Sequence, residues 1–183
     1  MIFKETPISG AYLIEAAPFS DDRGWFARTF CKEEYAKIGF QEEWVQENHS
    51  YTKIVGTIRG MHFQYPPYAE IKTVRCIAGK VYDVIIDLRE NSSSFLKWFG
   101  VDLSAENRRT LYIPKGVAHG FQVLLPNSEL IYHHSAFYQP ANEGAIRFDD
   151  PKIGIQWPIK LTDLSKKDQE YDFLTQDFKG IKV

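Results

Sequence analysis

The stretch IKTVRCIAGKVYDVIIDL, residues 71–88, decides the fold. Successive side chains of a strand point to opposite faces. In KVYDVIIDL (80–88) that places Tyr82, Val84, Ile86 and Leu88 on one side, and Val81, Asp83, Ile85 and Asp87 on the other. The run IKTVRCIAG before it also reads as a strand, and Gly79-Lys80 between the two is a turn signal. The pair is therefore read as a β-hairpin.

Strand signals continue in both directions. They fall at GAYLIEAA (10–17), WFARTF (25–30), EWVQEN (43–48), GTIRGMHFQY (56–65), KWFGVDLS (97–104), TLYIP (110–114), HGFQVLLP (119–126) and SELIYHHSAFY (128–138). Turn residues separate them at SDDRG, RENSSS, PKG, LPNS and QPANEG. This spacing argues for a β-sandwich or barrel rather than alternating βαβ units. Helical patterns are few: CKEEYAKIG (31–39), ending at a Gly39 stop signal, and a short helix after a loop within LTDLSKKDQEYDFL (161–174).

Composition agrees. Thirteen Phe, 10 Tyr and 4 Trp make 15% of the 183 residues, an aromatic share suited to sheets packed on sheets. The length fits one domain, 1–183. Twenty-four acidic against 22 basic residues leave a formal charge of −2, with no global field to recruit nucleic acid or an anionic membrane. A local basic cluster around an anionic ligand is compatible with that balance. Cys31 and Cys76 lack CxxC spacing and read as reduced thiols. The opening MIFKETPISG has no apolar signal core, and no run approaches a membrane span. A cytoplasmic protein is expected.

Two segments place polar chemistry in apolar strands. In GTIRGMHFQY, strict alternation puts Ile58, Gly60, His62 and Gln64 on one face and Arg59 on the other. LYIPKGVAHGFQVL (111–124) sets His119 at the start of another strand. A G-x-H-x-Q strand followed by P-x-G-x-x-H-G-F resembles the two half-motifs of a cupin jelly roll. Metal-binding cupins usually carry H-x-H and a glutamate in the first motif, whereas this chain has Gln64 in place of the second histidine. Two histidines and an amide lack the third strong donor of a first-row metal site. His133 and His134 adjoin in a strand, so they point oppositely and cannot both complete one. The expectation is a site with neither metal nor other cofactor.

The resemblance narrows further. DDRGWFARTF, VQENHS, GTIRGMHFQ, AEIKTVRCIAGKVYDVIIDLR, LYIPKGVAHGFQVL, ELIYHHSAFYQPANEG, RFDDPKIGIQWP and LSKKD stand in the order of the dTDP-4-dehydrorhamnose 3,5-epimerase family. The chain is similar to that family over residues 10–170 or thereabouts. The resemblance implies a mostly-β, cupin-type jelly roll with a few short helices, its core over about 45–140 and a C-terminal loop and helix over about 160–183. It implies His62 as base, oriented by Asp168; Tyr132 as acid on the opposite face of the sugar; and Lys72 at the C4 carbonyl oxygen. It further implies Arg59 and Arg23 on the diphosphate, Gln46 and Asn48 on the nucleotide or its phosphates, His119 near the sugar, Glu143 toward the base and ribose, and Tyr138 among the substrate-binding residues. A homodimer exchanging N-terminal strands is implied as well.

The chemistry explains these residue types. A 4-keto sugar has acidified C–H bonds at C3 and C5, because the carbanion delocalises onto O4. Imidazole, with an unperturbed pKa of ~6.5, suits proton removal near neutral pH, and a carboxylate on its second nitrogen fixes the tautomer. A phenol can return a proton to an enolate carbon, and an ammonium stabilises the developing oxyanion. Each residue also has a plainer reading. Ser165-Lys-Lys-Asp168 fits a capping box, Tyr132 can pack its ring, Lys72 can be solvated, and Arg23 can pair with Asp21 or Asp22 in its turn. One departure stands out: many family members carry a glutamate where this chain has Arg28. A C3-only epimerase, a non-catalytic sugar-nucleotide-binding cupin and a metal-dependent cupin oxygenase remain as rivals.

Overall fold

A computed structural model describes residues 1–183. In chain order the strands are β1 (Ile2–Glu5), β2 (Tyr12–Glu15), β3 (Phe19–Asp21), β4 (Gly24–Phe26), β5 (Gln46–Thr52), β6 (Thr57–Gln64) and β7 (Lys72–Ala78). They continue as β8 (Lys80–Asp87), β9 (Trp98–Ser104), β10 (Arg109–Ile113), β11 (Val117–Val123), β12 (Ser128–His134), β13 (Glu143–Ala145) and β14 (Asp163–Leu164). Two short α-helices, α1 (Lys32–Ala36) and α2 (Lys166–Glu170), and a 3-10 turn at Pro140–Asn142 complete the list. One sheet has the order β1-β2-β10-β7-β12-β5, and a second has β13-β6-β11-β8-β9 with β14 parallel to β6. The chain is a mostly-β jelly-roll sandwich.

Alternation in β8 determines how the layers stack. Val81 and Ile85 join Val74, Cys76, Leu111, Ile113 and Leu130 of the first sheet in the central core. Val84, Ile86 and Leu88 face the other way, into a second core with Met61, Phe63, Ile146, Ile153 and Ile181. C-terminal side chains, among them Trp157, Leu174 and Phe178, cover that outer face. A third cluster of Ile14, Tyr35, Phe40 and Tyr112 lies where α1 meets the first sheet. Each fully buried aliphatic side chain contributes about 1.5–3 kcal/mol, so β8 is held from both sides.

The Gly79-Lys80 turn is not a hairpin. β7 lies between β10 and β12 in the first sheet, whereas β8 lies between β11 and β9 in the second. The turn instead carries the chain across the sandwich. Ser128 pins the crossing: its Oγ accepts from Lys80 N at 3.0 Å, and it donates to Leu125 O at 2.7 Å. WFARTF also differs from its reading, because the strand stops at Phe26. EWVQEN becomes a strand only from Gln46.

One backbone contact shapes the site. β11 and β6 pair His119 with His62 and Phe121 with Arg59, so three steps on β6 match two on β11. The bulge falls at Gly60-Met61, and Gly60 has φ +117. A Cβ on Gly60 would sit 2.5 Å from Gly120 Cα, and one on Gly120 would sit 2.6 Å from Arg59 O. Gly60→Ala is expected to destabilise the protein by at least about 3 kcal/mol, combining overpacking with backbone strain. Gly39→Ala, at φ +86 in open space, should cost only about 1–2 kcal/mol. Urea unfolding of both variants checks this, and equal losses would refute the close approach as the cause.

Candidate active site

A cavity of about 490 Å³ opens between the two sheets. Arg59 and His62 of β6 and His119 of β11 reach it from the second sheet. Asn48 and Ser50 of β5, Lys72 of β7, and Tyr132 and His134 of β12 reach it from the first. The start of α2 closes one side with Ser165, Lys167 and Asp168.

The bulge corrects the expectation that Arg59 turns away from His62. The extra residue shifts the alternation, and both side chains line the cavity. Gln64 does not line it. Its amide donates to Glu70 Oε2 at 3.1 Å and Tyr68 O at 3.0 Å, and its Oε1 accepts from Gln139 N at 2.7 Å. Gln64 therefore ties two loops together.

His62 Nε2 meets Asp168 Oδ1 at 2.7 Å. Asp168 N in turn donates to Ser165 Oγ at 3.0 Å, so this residue takes part in the helix cap and bonds the imidazole at once. Burial pushes the Asp168 carboxyl up, but its bond to His62, the His62 charge and the Ser165 contact bring it below the usual carboxylate value. With Nε2 committed to a carboxylate, Nδ1 is the nitrogen free to take a proton.

Four further contacts organise the walls. His119 Nε2 lies 2.9 Å from Asp83 Oδ2, and both residues are buried. Burial raises the Asp83 carboxyl even against His119 and Lys72. Lys72 Nζ lies 2.9 Å from Glu70 Oε1, and His134 Nδ1 lies 3.0 Å from Glu70 Oε2. Tyr132 Oη bonds Ser50 Oγ at 3.0 Å, and burial raises its phenol far above the ordinary value.

Gln46 and Glu143 stand one bond from the cavity, and Tyr138 stands two. Gln46 donates to Asn48 Oδ1 at 3.2 Å and accepts from Tyr138 N at 3.0 Å. Tyr138 Oη donates to Glu143 Oε2 at 2.8 Å, and Lys167 pairs with the same oxygen. Burial raises the Glu143 carboxyl, but these two donors leave it below the usual range.

Arg23 is elsewhere within this chain. It is 90% exposed in the β3–β4 hairpin, paired with Asp21 at 2.6 Å, as its plainer reading had it. Arg28 pairs with Glu34 at 2.8 Å on the surface. Sequence reasoning passed over Asp83, Glu70, Ser50 and Lys167. Asp83 was visible, since an acid in phase with Val81 and Ile85 must find a partner when buried. The others depend on contacts between segments far apart in the chain, such as Glu70 with His134 and Lys167 with Glu143.

Glu70 offers a pH test. Burial raises its carboxyl, but Lys72 and His134 outweigh this and bring it down from 4.5 to about 2. A lowered folded value means that stability is present above the unfolded value and is lost as pH falls through the folded one. Urea midpoints of the wild type should decline between about pH 5 and pH 2. Glu70→Gln should lower stability at pH 7 and flatten that decline. An unchanged acid slope in the variant would refute the pairing.

The family model for dTDP-4-dehydrorhamnose 3,5-epimerase matches residues 5–176. A dTDP-4-dehydrorhamnose 3,5-epimerase of Salmonella typhimurium is 42% identical over 178 residues, covering 96% of this chain and 97% of that protein. The crystal structure of the Bacillus anthracis dTDP-4-dehydrorhamnose 3,5-epimerase with TDP and PPi bound superposes with a TM-score of 0.91 at 39% identity, covering 94% of this chain and 99% of that one. A 3'-monoepimerase from Streptomyces bikiniensis in complex with dTDP-quinovose is more distant, with a TM-score of 0.83 at 30% identity over 91% of this chain and 84% of that one. By sequence and by fold, the chain belongs to the dTDP-4-dehydrorhamnose 3,5-epimerase family.

Proposed function

We propose that the protein inverts C3 and C5 of dTDP-4-dehydro-6-deoxy-D-glucose, giving dTDP-4-dehydro-L-rhamnose. One observation carries the reading: His62 and Tyr132 come from opposing sheets onto one cavity, with Lys72 on its wall. Inversion at carbon requires a proton to leave one face and another to arrive on the opposite face. A sandwich whose two sheets each contribute one proton-handling group meets that need.

In this reading His62 Nδ1 takes the C–H proton, and Asp168 on Nε2 stabilises the imidazolium. The electron pair delocalises onto O4, where the Lys72 ammonium, held by Glu70, offsets the charge. Tyr132, kept protonated by burial, delivers a proton to the other face. His119, fixed by Asp83, hydrogen-bonds the sugar. Arg59, with Gln46 and Asn48, holds the diphosphate, while Tyr138 and Glu143 flank the nucleoside. No atom changes oxidation state, so the cycle closes without a redox cofactor.

A homodimer completes the proposal. The β3–β4 hairpin exposes Phe19 and Phe26 at 79% and 75%, together with Arg23. Docked on a second copy, it would bring Arg23 to the partner's diphosphate. Sedimentation equilibrium should return twice the chain mass; the single-chain mass would overturn this part. The cytoplasm is the proposed setting, supported by the free Cys31 and Cys76.

A C3-only epimerase is the second reading, favoured by the likeness to a monoepimerase. Proton NMR of the reaction in D₂O separates the two. Deuterium at both C3 and C5 is expected, and deuterium at C3 alone would select the second reading. His62→Asn should slow solvent exchange by about 10²–10⁴-fold. Tyr132→Phe should retain exchange and lose inversion. Wild-type exchange in His62→Asn would overturn His62 as the base, and no exchange in the wild type itself would leave a binding protein rather than an epimerase.

A further inference from the structure

Tyr132 Oη makes one hydrogen bond, and its partner is Ser50 Oγ at 3.0 Å. The register explains the contact. Tyr132 pairs with Asn48 and Leu130 with Ser50, so Ser50 lies diagonally across from Tyr132 on the same face of the sheet. Ser50 also lines the cavity and is partly exposed, on the strand that ends the sheet. It thus stands between the phenol and cavity water.

We infer that Ser50 is the positioning residue of Tyr132, aiming its proton at the substrate and returning one after transfer. The inference rests on the proposed function and deepens it. Each hydroxyl has one proton. For Tyr132 to point its own into the cavity, Ser50 must donate and Tyr132 Oη must accept. When the enolate carbon takes the proton, the enolate π pair becomes the new C–H bond, and the pair of the broken O–H bond stays on the phenolate oxygen. Ser50 then passes its proton to that oxygen and takes one from water. The imidazolium at His62 releases its proton to solvent, and the cycle is balanced.

Ser50 therefore governs inversion but not proton removal. In D₂O, His62 alone can remove a proton and return a deuteron to the same face, which labels the sugar without inverting it. For Ser50→Ala, proton NMR should show labelled, uninverted sugar accumulating. The ratio of inversion to exchange should fall about tenfold, the scale of one hydrogen bond. Ser50→Thr, which keeps the hydroxyl, should restore the ratio. A proportional fall in both processes, an unchanged ratio, or no rescue by threonine would each overturn the inference. Tyr132→Phe, measured alongside, keeps two failures apart. If that variant inverts normally, the acid assignment itself falls. If it does not invert while Ser50→Ala keeps the wild-type ratio, only the role of Ser50 falls.

Discussion

The 2.7 Å bond between His62 and Asp168 joins residues 106 positions apart, and the site depends on it. It fixes the imidazole, supplies the buried carboxylate with a partner, and binds α2 to β6. An unpaired carboxylate at 4% exposure would cost several kcal/mol. Satisfying it therefore also holds down the C-terminal segment, whose Trp157, Leu174 and Phe178 cover the second core. One contact thus serves both the site and the cover of that core. This is why a five-residue helix, too short to be stable alone, has a fixed place.

A second constraint acts through the backbone. Strict alternation would have separated Arg59 from His62, and the bulge at Gly60-Met61 brings them together. Two facing glycines permit it, because Gly60 and Gly120 approach more closely than any Cβ would allow. An active site thus requires a local exception to the pattern that builds the strand. The same exception places a guanidinium and an imidazole three residues apart on one wall.

Much of this was legible in the sequence. Alternation in 80–88 gave β8 two apolar faces, and the two cores confirm it. His62, Tyr132, Asp168, Lys72, Asn48, Arg59 and His119 were singled out and do line one cavity. What was not legible is which sheet a strand joins. Gly79-Lys80 is a turn whether the chain folds back on itself or crosses the sandwich, and local sequence contains nothing about the neighbours of β7. For the same reason Glu70 and Ser50 were missed: a carboxylate between Lys72 and His134, and a hydroxyl beside Tyr132, are facts of register between distant strands. Arg23 shows the opposite limit: the resemblance singled it out, and within this chain it pairs with Asp21 in its turn and does not line the cavity.

The pairing of charges around the cavity has a consequence for selectivity. His62 has Asp168, His119 has Asp83, and Lys72 and His134 share Glu70. Lys167 has Glu143. Arg59 alone among the lining cations has no carboxylate within ion-pair distance, and it touches only Tyr51 O at 3.3 Å. A buried or half-buried pair is satisfied internally and adds little attraction for an anion, whereas an unpaired guanidinium offers a planar fork to phosphate oxygens. Under the proposed function the labour divides accordingly. The paired groups, held in fixed geometry, handle protons at the sugar, and the one unpaired cation is left to draw in the diphosphate.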